Sequence, residues 1–166
     1  MIHALFHGLD KALSFKHAAA HCDIPCKIYD PSTAQIAALS IIRLMDLIAE
    51  LGAKETLTLA DHAQLARLVA EKEIHAAKVK DEIRVIWGDY FKQPQFEQFP
   101  ETHTLVHNIM LTGSACKQHI SRENGEKLLT LVNDFANAFW TTKGVPTYTA
   151  ECPYPPAMQV VYPRLG

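Results

Sequence analysis

The sequence predicts an all-α protein: an up-and-down four-helix bundle preceded by an N-terminal metal-binding hook. Three observations lead there. From residue 32 to residue 143 apolar side chains recur at spacings of three and four, the helical period. Capping residues stand ahead of these stretches. No alternation of apolar and polar residues competes with them, so no strand is expected.

Asp30-Pro31 opens the first helix, with Asp as the cap and Pro at the first helical position. Ala37, Ile41, Leu44, Ile48 and Leu51 then form one apolar stripe, and Gly52 is placed to end it. Thr58-x-x-Asp61 reads as a capping box for the second helix. Leu65, Leu68, Val69, Ala76, Val79, Ile83 and Ile86 line its inner face, with Lys and Glu on the solvated side. This helix is expected to reach about Tyr90, roughly 45 Å of rod. Pro94 and Pro100 bracket a loop. The third helix starts near Glu101 with Leu105, Val106, Ile109 and Met110 inside. The fourth starts near Ser121 and carries Leu128, Leu129, Leu131, Val132, Phe135, Phe139 and Trp140. Helices joined by short links make an up-down bundle.

Length and composition narrow the function. The 166 residues are most simply one domain with tails, and 48% hydrophobic residues suffice for a core. With 16 basic and 18 acidic residues, a net charge of −2 and no basic cluster, nucleic-acid binding has no support. The uncharged runs are too short for a transmembrane helix. The expected organisation is a removable pro-peptide at 1–20, a hook at 21–31, the bundle at 32–143 and a proline-rich tail at 144–166. Pro146, Pro153, Pro155, Pro156 and Pro163 exclude a helix from that tail. Cys116 is expected to be a helix thiol and Cys152 a free thiol.

The chemistry concentrates in His21-Cys22-Asp23-Ile24-Pro25-Cys26-Lys27-Ile28-Tyr29-Asp30-Pro31. Ala18-Ala19-Ala20 just before it is a run of small residues suited to cleavage. The preceding stretch, broken by His7, Asp10, Lys11 and Lys16, lacks an apolar secretory core, so a pro-peptide removed in the cytoplasm fits better. A cut after Ala20 frees the α-amine of His21. That amine and the Cys22 amide nitrogen close one five-membered chelate ring; the same amide and the Cys22 thiolate close another. Cys26 completes a square if Pro25 turns the chain back, and the His21 imidazole approaches axially. Planar nitrogen ligation favours Ni(II) or Cu(II) over tetrahedral zinc. Thiols and amide must ionise to bind, so affinity falls with acid. On the residues alone, two cysteines four apart are also the pattern of ordinary thiols.

The segment resembles the hook of the nickel superoxide dismutase family, His-Cys-Asp-x-Pro-Cys-Gly-x-Tyr-Asp-Pro, departing at Lys27 where that pattern has glycine. Two further stretches resemble the family in the right order: Trp87-Gly88-Asp89-Tyr90-Phe91-Lys92 with Pro94, Phe96, Glu97, Pro100, Glu101 and His103, and Phe139-Trp140-x-Thr142-Lys143. The resemblance implies superoxide dismutation by Ni(II)/Ni(III) cycling, one nickel ion per subunit, and a homohexamer with hooks at subunit contacts. It implies His21 as amine and imidazole ligand, Cys22 as amide and thiolate ligand, Cys26 as thiolate ligand, and Tyr29 over the open face of the metal. Thiolate and ionised amide donors stabilise the higher oxidation state, which suits this chemistry. Lys27 and Lys92 are candidates for steering an anion, although both also read as solvated lysines.

The resemblance also implies a processing protease. In the family a glutamate and an arginine from another subunit hold the axial imidazole; here those positions are Ala37 and His75, with Glu73 nearby. Partners of this kind orient a metal-bound histidine, so His75 or Glu73 is a candidate replacement. His103 and His107 lie four apart without a third ligand and read as structural, and His62 and His119 show no partner. Two other readings stay open: a non-enzymatic nickel or copper binding or delivery protein, and a thiol redox protein using Cys22 and Cys26.

Overall fold

The structure, a computed structural model, describes residues 27–166. Helix α1, Ser32–Gly52, begins where Asp30 Oδ1 accepts the Ser32 N–H at 2.8 Å. It buries Ala34, Ala37, Ala38, Ile41, Ile42, Met45, Ile48 and Leu51, with Leu44 only half-buried. Helix α2, Leu59–Val85, starts at the expected capping box: Asp61 N–H donates to Thr58 Oγ1, and Thr58 N–H returns to Asp61 Oδ2. The rod continues as a π-helical turn, Ile86–Tyr90, closed by Phe91 N–H donating to the Ile86 carbonyl at 3.3 Å. Such a turn admits one extra residue and rotates the side chains that follow. Where a loop was expected between Pro94 and Pro100, a short helix α3, Gln93–Gln98, appears. Helices α4, Thr102–Gln118, and α5, Arg122–Thr142, start where expected, and the Ser121 hydroxyl caps α5 by accepting the Asn124 N–H.

The four long helices close a ring in which α1 packs on α2 and α5, and α4 packs on α2 and α5. This is the expected bundle. Ile41, Ile42, Val79, Ile83, Ile109, Leu128, Phe135 and Phe139 are buried along its axis. Gly125 permits the close approach of α5 to α1, since a Cβ there would stand 2.9 Å from Ile42 Cγ1.

Two further expectations are corrected. Lys72, expected on the solvated face of α2, is 1% exposed. Its ammonium donates to the carbonyl oxygens of Cys116 at 2.5 Å and Lys117 at 2.8 Å, in the last turn of α4. Those carbonyls have no partner within their own helix, and a cation there also meets the negative end of the helix dipole. Upstream, Leu65, Leu68 and Val69 are only half-buried.

The second correction is the absence of strands. Gly144, at φ +71°, ends α5 in the left-handed conformation that glycine adopts without strain, and Val145 N–H donates back to the Trp140 carbonyl. An antiparallel hairpin follows: β1, Thr147–Glu151, paired with β2, Gln159–Pro163. Buried Gln35 donates to the Val161 carbonyl at 2.8 Å and to Asn133 Oδ1 at 3.0 Å, and Asn133 donates to the Gln159 carbonyl. Cys152 and Val160 bury themselves as well. The hairpin is therefore tied to α1 and α5.

Candidate metal centre

The proposed ligands His21, Cys22 and Cys26 lie outside the described residues. Tyr29 lies within them and fixes where the hook joins the bundle. Three elements meet there: the start of α1, the π-helical turn and the C-terminus of α5. The half-buried Tyr29 ring stands 6.0 Å from that of Tyr90, tilted by 54°. Tyr90 packs against Phe139 at 4.8 Å and Phe91 at 5.4 Å. The Thr142 hydroxyl donates to the Phe139 carbonyl at 2.7 Å, which leaves the Tyr90 hydroxyl to donate to Thr142 Oγ1 at 2.8 Å. The Lys143 ammonium lies over two ring faces, 4.8 Å from the Tyr90 centroid and 5.2 Å from that of Phe139.

The sequence displayed Trp87–Lys92 and Phe139–Lys143 as separate motifs. The structure brings them together behind Tyr29. Tyr90, Thr142 and Lys143 were not singled out as site residues, and the signal that would have found them was their membership of these two motifs. Lys27 adopts φ +59°, the left-handed region that costs a side-chain-bearing residue about 1–2 kcal/mol. Glycine at this place in the family pattern has a backbone reason.

The residues at the departures from that pattern are also placed. Ala37 is 1% exposed inside the bundle. His75 is half-buried and borders a cavity of about 380 Å³ with Ser40, Arg43, Glu71 and Tyr154; its Nδ1 has no hydrogen-bond partner. Glu73 is exposed. His75 and Tyr90 are fifteen positions apart on one rod, roughly 22 Å.

His103 is structural: its Nδ1 accepts the Trp87 indole N–H at 3.2 Å, and its ring stacks on Phe96 at 4.3 Å. His62, His107 and His119 are exposed. Cys116 and Cys152 are free, buried thiols, and burial pushes the Cys116 thiol up to about 11. A thiol so rarely ionised is a poor nucleophile and a poor ligand. Among the described residues no three His, Cys, Asp or Glu side chains gather closely enough to hold a metal ion, and no helix is long and apolar enough to cross a membrane.

Comparison with known proteins shows the family. The pattern of the nickel-containing superoxide dismutase family matches residues 16–143. The chain is 38% identical to a Streptomyces seoulensis superoxide dismutase [Ni] over 125 residues, 75% of this chain and 89% of that protein. It is 37% identical to the Streptomyces coelicolor protein of the same name over equal shares. Among solved structures, native nickel superoxide dismutase at 1.30 Å superposes with a TM-score of 0.65 at 34% identity, covering 74% of this chain and 99% of that one. A nickel-containing superoxide dismutase with the ligation of its oxidised state gives 0.64 at 35% identity, covering 75% and 99%. With its fold and its sequence in agreement along three quarters of its length, the chain belongs to the nickel-containing superoxide dismutase family.

Proposed function

We propose that this chain disproportionates superoxide at a nickel ion held by its hook, two superoxide anions and two protons giving dioxygen and hydrogen peroxide. The observation that supports the reading is the family match, which begins ahead of the hook and runs without interruption through the Tyr29 corner to Lys143. The donor set would suit a nickel ion: one amine, one amide nitrogen, two thiolates and an imidazole stand within six residues. Nickel so bound supplies one-electron exchange between its divalent and trivalent states.

The chain's own residues do the rest. His21 contributes its amine and imidazole, Cys22 its amide and thiolate, and Cys26 its second thiolate. Asp23 and Pro25 shape the turn. Tyr29, backed by Tyr90, screens the open side and orders water or substrate through its hydroxyl. The leader, residues 1–20, is removed in the cytoplasm by a protease, since the amine is a donor only when free. The active form is a homo-oligomer, a hexamer by analogy with the family. The roughly 22 Å between His75 and the Tyr29 corner means that a His75 supporting an axial imidazole serves the hook of a neighbouring copy.

The test is Cys22→Ser and Cys26→Ser in protein beginning at His21. Each removes nickel and superoxide activity while helical content stays as in the parent. A chain that binds nickel but leaves superoxide untouched would be a binding or delivery protein instead.

A further inference from the structure

We infer that Lys143 is the cation that gathers the anionic substrate at the mouth of the site; this rests on the proposed superoxide chemistry. The ammonium is held over Tyr90 and Phe139, and Tyr90 is the ring against which Tyr29 stands. The two centroid distances put the charge within about 11 Å of the Tyr29 ring, close to the ~10 Å screening length at 0.1 M salt. A ring face fixes a cation without neutralising it, unlike a carboxylate. Among the described residues no carboxylate pairs with Lys143; the ion pairs there engage Arg43, Lys54, Arg84 and Arg122. The residue is exposed, so its field reaches solvent. Lys92, the lysine of the neighbouring motif, has its ammonium tied to the Gly88 carbonyl at 2.8 Å.

A fixed cation beside a reaction site raises the local concentration of a small anion and so the second-order rate. The chemical step is unchanged, since Lys143 acts before the substrate arrives. Salt erases this effect, which separates it from a packing role.

The experiment uses nickel-loaded protein beginning at His21. Lys143→Gln lowers kcat/KM for superoxide roughly threefold at low salt and flattens its dependence on ionic strength, whereas Lys143→Arg keeps both parental values. Lys127→Gln, an exposed lysine elsewhere on α5, serves as control and leaves the slope as it was. A metal-free readout keeps the inference separable from the proposed activity. Trp140 packs on Phe139 at 5.1 Å, so with the other tryptophan removed by Trp87→Phe in every variant compared, the remaining fluorescence samples this corner. Iodide quenches the parent more than Lys143→Gln, while neutral acrylamide quenches both equally. If the loaded protein has no dismutase activity, the proposed function fails and the iodide comparison still decides the role of Lys143. Equal iodide quenching in parent and Lys143→Gln, or identical salt slopes for kcat/KM, would overturn the inference.

Discussion

Lys72 of α2 reaches through the bundle to donate to the carbonyl oxygen of Cys116, 2.5 Å away in the last turn of α4. A charged side chain thus joins two helices that sequence periodicity treats as independent. Burial pushes its pKa below the usual lysine range, yet the carbonyls it serves have no alternative donor in their own helix. Lys72→Met keeps the stem and removes the donor. It should destabilise the bundle by about 1–3 kcal/mol, the cost of buried acceptors left unsatisfied. The urea midpoint measures this, and an unchanged midpoint would mean that the carbonyls find water.

The capping box of α2 predicts a pH dependence. Lys54 and the Thr58 hydroxyl and amide hydrogen-bond the Asp61 carboxylate and hold it well below the usual carboxylate range. The folded chain therefore keeps Asp61 ionised at pH values where the unfolded chain has taken up a proton. Its stabilisation is complete above the unfolded value, near 3.9, and is lost as pH falls toward the folded one. The gap in denaturant midpoint between the parent and Asp61→Asn should be full at pH 7 and visibly smaller at pH 3. A constant gap would show that the carboxylate charge contributes nothing.

Much of the fold was legible because capping chemistry and apolar spacing are local. Thr58, Asp61, Glu101 and Ser121 marked helix starts that the structure keeps. What escaped depends on partners distant in sequence. Lys72 reads as a solvated lysine until α4 is placed beside α2. The strands at 147–163 are short and carry prolines at both ends, so their alternation is too brief to register; Gln35 and Asn133, far upstream, hold them. The proposed hook ligands His21, Cys22 and Cys26 were read from chelate rings that close within a few bonds, and they lie outside the described residues. The support behind Tyr29 was not legible, since Tyr90 in the π-helical turn and Lys143 just past α5 are 53 positions apart and meet only once the bundle is folded.

His75 is the candidate support for the imidazole of the proposed ligand His21. Ala37 offers no polar group in the core, and His75 has a ring nitrogen without a partner. If a neighbouring copy's hook is held there, His75→Ala should retain nickel while losing tenfold to hundredfold in activity. The oxidised protein should also show weakened axial nitrogen coupling in its electron paramagnetic resonance spectrum. His62→Ala, at an exposed position of the same helix, should change neither. Equal and small effects from both would assign His75 to the surface.

The proposed site depends on the free amine of His21, and one comparison isolates it: nickel content and superoxide removal by protein beginning at His21, against the same protein with one alanine added in front. The bundle starts eleven residues later, at Ser32, and should be equally helical in both. The account predicts stoichiometric nickel and rapid superoxide removal in the first, and loss of activity in the second. Full activity in the extended protein would contradict it, because the metal would then be held without the amine.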